Sequence, residues 1–177
     1  MPDDMQTSHQ QDTPADMSEL VEWATQKQYT IAEVNADKPW GGYIRLADSD
    51  ADRFLAEFFP GLNPDEARLG AAHAELSPKI LYVEPNQRLS WQRHDRRAER
   101  WVFLTSGGYH KSLDPEVMGE MVQANPGDVV QFEAGECHRL VGGSDGVTLV
   151  AEIWQHTDPT MHSDEADITR LQDDYKR

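Results

Sequence analysis

The sequence contains a single cysteine, Cys137, so no intramolecular disulfide can form. A reducing, cytoplasmic setting is therefore expected. No stretch approaches the ~18 consecutive apolar residues that a bilayer-spanning helix requires. The opening MPDDMQTSHQQDTPAD has neither a basic leader nor an apolar core, and no signal peptide is expected in it. Basic residues are scarce: 16 Lys and Arg stand against 32 Asp and Glu, a net charge of −16. A surface of that sign repels a phosphate backbone, so no nucleic-acid partner is expected, and nothing in the chain points to a membrane. The acidity suits a high-salt interior, where ions screen carboxylate repulsion, as well as it suits ordinary solubility. No segment repeats with a fixed period.

What is present reads as a globular chain. Hydrophobic residues make up 38%, with five Trp, five Tyr and five Phe, and 177 residues suffice for one well-filled core. Residues 1–36 read as an N-terminal extension, polar and disordered to about residue 16 and then helical, with Ser18 as the expected N-cap. Residues 37–177 read as one domain with a helical insert at about 49–76. Phe54, Leu55, Phe58 and Phe59 form the apolar stripe of its first piece, which breaks at Pro60-Gly61. Asn63 caps the second piece, with Pro64 in its first position. That insert reads as an annex on the main body; the sharper alternative makes it a lid hinged near Gly61.

From Lys79 on, short β-branched and aromatic runs alternate with turns: KILYVE, RLSWQRH, ERWVFLTSG, DVVQFEAG, CHRLVGG and VTLVAEIWQ. Such spacing predicts an all-β sandwich or barrel. The tail SDEADITRLQDDYKR is polar, with Ile168 and Leu171 as isolated anchors.

RLSWQRHDRRAERW, residues 88–101, gathers five arginines around possible metal ligands. On a strand, Gln92 and His94 share one face, and Glu99, Trp101 and Phe103 share a face of the next. If a bend joins the two, Gln92, His94 and Glu99 converge, and His138 supplies a fourth ligand about forty residues on. That mixed nitrogen and oxygen set suits one divalent ion, Zn²⁺ first, with Mn²⁺, Fe²⁺ or Ni²⁺ as alternatives. Arg93 should point away from His94, Arg96 should sit in the bend, and Arg100 should face away from Glu99. His156 and His162 read as surface residues, and Cys137 as a small core residue.

These residues resemble the two metal-binding motifs of the cupin superfamily. Gln92-Arg93-His94, Glu99 and Gly107 match the first; Gly127, Gly135 and His138 match the second, where Glu133 replaces the usual proline and Gly142 a common asparagine. The resemblance implies a cupin double-stranded β-helix, a jelly-roll barrel. Pro39-Trp40-Gly41, Lys79, Leu89 through Trp101, Ala151-Glu152-Ile153 and Asp167-Ile168-Thr169-Arg170 resemble the type II phosphomannose isomerase group. Stand-alone cupins labelled phosphoheptose isomerase share stretches like SWQ and EIWQHTDP. The insert before Lys79 is longer than that group leads one to expect.

This resemblance implies a metal-dependent aldose–ketose isomerase acting on mannose 6-phosphate or a related sugar phosphate. Lys79, Arg97 and Arg170 would then be cations at the substrate, with Lys79 and Arg170 in the catalytic set. Arg88 and Arg139 are neighbouring candidates for phosphate binding. Glu152, on the Val150/Glu152/Trp154 face of a strand, is the candidate base. A homodimer formed through barrel edge strands is expected. The competing readings are a non-catalytic sugar-phosphate-binding cupin and a different metal-dependent cupin enzyme, such as an oxygenase.

Overall fold

A computed structural model describes residues 13–176; the expectation of disorder at the start of the chain falls mainly on residues 1–12, outside the described residues. Helix α1 (Met17–Gln26) is followed by strands β1 (Ile31–Lys38) and β2 (Gly41–Leu46). A 3-10 turn (Asp48–Asp50), α2 (Ala51–Phe58) and α3 (Pro64–Ala67) form the insert. The remaining strands are β3 (Lys79–Val83), β4 (Trp91–Arg93), β5 (Arg97–Phe103), β6 (Gly107–Ser112), β7 (Val122–Ala124), β8 (Val129–Phe132), β9 (Cys137–Gly142), β10 (Thr148–His156) and β11 (Thr169–Gln172).

Two antiparallel sheets result, with strand orders β1-β2-β3-β10-β5-β8 and β11-β4-β9-β6-β7. Together they make the all-β double-stranded β-helix expected from the sequence. Alternation along β3 and β10 builds two separate cores. Leu81, Val83 and Val150 point into the barrel with Trp101, Phe103, Phe132 and Leu140. Ile80, Tyr82, Ala151 and Ile153 point the other way, onto α1 and α2 through Leu20, Phe54, Leu55 and Phe59. With both faces covered, all nine residues of β10 are buried, which explains its near-continuous apolar run.

The insert packs as an annex on the outer face of the six-stranded sheet. Asn63 caps α3 as expected, its side chain accepting from Glu66 N. The cap of α1 is Asp16, which accepts from Glu19 N, while Ser18 lies inside the first turn. Gly61 and its neighbours border a groove on that outer face, so α2 does not cover the barrel mouth. Among the described residues no helix is long and apolar enough to cross a membrane.

Three strands lack the pattern that identifies a strand in the sequence. β1 is mostly polar and half-exposed, and crosses residues 36 and 37 as the hairpin partner of β2. β6 and β11 are likewise polar; they pair with β9 and β4. The tail thus forms a sheet edge rather than resting on two isolated anchors. Gly41, at φ +140°, closes the β1–β2 turn; a Cβ there would lie 2.1 Å from the Tyr82 carbonyl oxygen, so only glycine fits.

Candidate metal centre

β4 and β5 meet at the bend His94–Arg96, and the register of β4 with β9 sets Gln92 opposite His138. Gly135, at φ +81°, turns the chain into β9, and its N–H donates to the His94 carbonyl oxygen at 2.7 Å. The two motif turns are therefore hydrogen-bonded to each other. His94, Glu99 and His138 converge inside the barrel, all buried, with ligand atoms within 4.8 Å of one another.

His94 Nε2 lies 3.0 Å from Glu99 Oε1, and His138 Nε2 lies 3.3 Å from Glu99 Oε2. The far side of each ring is anchored on backbone. His94 Nδ1 donates to the Asp167 carbonyl oxygen at 2.7 Å, and His138 Nδ1 to that of Glu136 at 3.1 Å. Donation from Nδ1 leaves Nε2 as the lone-pair nitrogen, the tautomer a metal needs. His138 Nε2 makes no aligned hydrogen bond although it is buried. Its ring is held by stacking on Phe132 at 4.5 Å and edge contact with Trp101 at 5.6 Å. An orphaned nitrogen, a second imidazole and a carboxylate around one point fit a divalent ion chemically. Separations near 3 Å are those of neighbouring ligands with bonds of about 2.1 Å.

Of the expected fourth ligand, Gln92, the structure places the side chain in the same chamber, with its Oε1 accepting from Ser90 Oγ at 2.8 Å. Arg97 holds Glu99: its Nε donates to Glu99 Oε1 at 3.0 Å, and Nη2 lies 3.3 Å from His94 Nε2. Its Nη1 donates to Ser163 Oγ and to the Asp164 carbonyl. Burial alone would raise the Glu99 carboxyl pKa, but the charges of His94 and Arg97 outweigh it and hold it well below the usual range.

Glu152 sits beside this cluster. Trp101 Nε1 donates to both carboxylates, at 2.9 Å to Glu152 Oε2 and 3.2 Å to Glu99 Oε2, and Trp154 Nε1 donates to Glu152 Oε1 at 3.1 Å. Burial, reinforced by the charge of Glu99, pushes the Glu152 carboxyl up to about 7. Lys79 Nζ and the Arg97 guanidinium each lie over the indole of Trp154, 3.7 Å from its ring centroid. Lys79 is buried and pairs with Glu165 at 2.9 Å.

The chamber over the cluster has a volume of about 100 Å³. Lys38, Lys79, Arg97 and Arg170 face it against Glu99, Glu152 and Glu165, with Trp40 and Tyr43 in the wall. An acidic protein thus keeps a locally cationic chamber, more so with a divalent ion present.

Two sequence candidates do not reach it. Arg88 is half-exposed and pairs with Asp174. Arg139, adjacent to His138, points to the opposite face of β9 and bonds Asp174 Oδ1 at 3.0 Å. Alternation separates a residue from its neighbour by a full sheet thickness. Arg96 lies in the bend and Arg100 faces outward to Gln131, both as expected. His156 departs from the surface reading. It is buried, and both ring nitrogens are bonded to backbone, Nε2 to Glu75 O and Nδ1 to Ser163 N.

Lys38 and Glu165 are chamber residues that sequence reasoning missed. Lys38 adjoins the Pro-Trp-Gly stretch, a usable signal; Glu165 lies in a polar loop that gives none.

No protein-family model matches this sequence, and no curated protein does. Among solved structures the chain is similar to the capsular polysaccharide assembling protein CapF from Staphylococcus aureus. One CapF structure aligns with TM-score 0.53 and 14% identity over 84% of this chain and 34% of that one. Another, in space group C2221, gives 0.51 and 13% over 79% and 34%. An uncharacterized conserved protein with a double-stranded beta-helix domain from Klebsiella pneumoniae subsp. pneumoniae gives 0.42 and 13% over 52% and 71%. The chain spans about a third of the length of the CapF chains it matches. At such identities the likeness is one of fold, that of the cupin barrels.

Proposed function

We propose that His94, Glu99 and His138, with Gln92 completing the set, bind one divalent metal ion, and that the protein is an enzyme isomerising an aldose phosphate to its ketose. The observation that carries this reading is the juxtaposition, within one chamber, of a pre-oriented ligand triad and a buried carboxylate, Glu152, that does not belong to the triad. Zn²⁺ is the ion favoured by two imidazoles and a carboxylate; Mn²⁺, Fe²⁺ and Ni²⁺ compete for the same donors.

The bound ion would supply Lewis acidity to the carbonyl and hydroxyl oxygens of the open-chain sugar. The chain's own residues do the rest. Glu152 removes the proton from C2 and returns it to C1 while the hydroxyl proton passes from O2 to the neighbouring O1, a task for which a carboxyl titrating near neutrality is suited. Trp101 and Trp154 each hold one of its oxygens, so the acid is aimed as well as tuned. Lys38, Lys79 and Arg170 supply cations for the phosphate. Arg97 is better read as the residue that positions Glu99, because its guanidinium is already engaged by Glu99, Ser163 and Asp164.

The test is deuterium incorporation. Protein loaded with each ion in turn is incubated in D₂O with hexose, pentose and heptose phosphates, and NMR follows label entering C1 or C2. Exchange with one sugar phosphate, lost in Glu152→Gln while the metal stays bound, supports the reading. No exchange from fully metallated protein across the panel sinks it.

A further inference from the structure

A second cavity, of about 500 Å³, lies against the metal chamber, and the two share Trp154 and Glu165 as a common wall. We propose that this outer cavity binds an uncharged polyhydroxylated group, a glycosyl ring in chemical class, and that Glu165 is the partition between it and the metal chamber.

The size of the inner chamber motivates the search for more space. The inner chamber, about 100 Å³, is small beside the outer cavity of about 500 Å³. The outer cavity lies directly across Glu165. That side chain is 66% exposed and is held in place by Lys79 alone among the contacts described.

The lining argues for the class of ligand. His156 and His162 stack at 4.8 Å with their planes 22° apart. His156 is fixed by its two backbone hydrogen bonds, so the pair presents a flat plate of the kind that packs on the C–H face of a sugar ring. Glu33, Glu75, Asp164 and Glu165 add carboxylate acceptors for hydroxyl donors. The one arginine of the cavity, Arg45, is committed to Glu33 at 3.2 Å. Asp164 and Glu165 are likewise paired, with Arg96 and Lys79, so the cavity offers no free arginine or lysine to hold a phosphate, and a neutral hydroxyl-bearing ligand suits it.

This inference goes beyond the isomerase reading and survives its failure, because it rests on a different set of residues. Saturation-transfer NMR on the full chain, stripped of metal by a chelator, tests it with neutral mono- and disaccharides as probes. A neutral saccharide should bind the wild-type protein and Glu99→Gln equally. It should weaken about fivefold or more in His162→Ala, the loss expected of one ring-stacking contact. Glu75→Gln, which keeps the carbonyl that holds His156, should weaken it as well. Inorganic phosphate should not displace it. Absence of binding by every neutral saccharide, binding unchanged in both variants, or displacement by phosphate would each overturn the proposal. Zn²⁺ binding measured on the same samples reports separately on the triad.

Discussion

Lys79 Nζ donates to Glu165 Oε1 across 2.9 Å, and the two side chains are 4% and 66% exposed. The pair joins residues 86 apart in sequence. Its lysine is buried between barrel strands against the face of Trp154, whereas its glutamate stands on a loop in water.

An ion pair with one end in water contributes little to stability, about 0–1 kcal/mol. Glu165→Ala should therefore lower Tm by no more than about 3 °C. It should leave Zn²⁺ affinity unchanged, because Glu165 touches no ligand of the triad. Thermal denaturation with and without Zn²⁺ checks both statements. A large loss of Tm would make Glu165 structural instead.

Arg97 holds Glu99 and lies beside His94 without being a ligand. Arg97→Lys keeps the charge but cannot reproduce the guanidinium fork that reaches Glu99, Ser163 and Asp164 together. Zn²⁺ affinity should fall about 10–100-fold, the usual cost of losing an outer-shell contact. Competition with a chromophoric chelator measures it, beside Glu99→Gln as the variant that removes a ligand outright.

Metal-free protein should carry an unusual pH dependence from Glu152. Its folded-state pKa, about 7 against an ordinary 4.5, means the native state holds its proton more tightly than the unfolded chain. The stabilisation is complete below about pH 4.5 and is lost as pH rises to about 7, a change of up to about 3 kcal/mol. His156 has the opposite sign, since burial lowers its pKa and stability then falls as pH drops below the ordinary histidine value. The difference between wild type and Glu152→Gln isolates the carboxyl. Urea midpoints between pH 5 and 8 should fall more steeply in the wild type. Parallel curves would mean that Glu152 titrates normally.

Arg88 and Arg139 face away from the chamber and bond the C-terminal Asp174. Arg88→Ala should change stability by less than about 0.5 kcal/mol and leave substrate binding intact. Arg170→Ala and Lys38→Ala should weaken binding of an anionic substrate with no effect on Zn²⁺. Isothermal titration of the three variants separates the groups.

Much of the candidate metal centre is legible in the residues themselves. Gln92 and His94 share a strand face, Glu99 and Trp101 share the next, and the turn at Gly135 precedes His138; each is a local relationship set by the two-residue period of a strand. The same holds for the Asn63 cap and the apolar stripe of α2. Asp16 caps α1 in place of Ser18, its side chain accepting from Glu19 N in the first turn. Ser18 has Val21 three residues on where Asp16 has Glu19, so the spacing within the segment favours Asp16.

By itself the sequence determined which side chains share a face and where metal-ligating types recur, because these depend on backbone periodicity over a few residues. Tertiary structure alone decided which face is inside. Arg139 and His138 are neighbours, yet pairing of β9 between β4 and β6 turns only the histidine toward the triad. β6 and β11 are strands because partners supply their hydrogen bonds, not because their residues favour extension. Glu165 reaches Lys79 because the loop after β10 folds back over the barrel mouth, held by Asp167, which accepts from the N–H groups of Asp95 and Arg96. Such contacts join residues more than seventy positions apart, and no local periodicity encodes them.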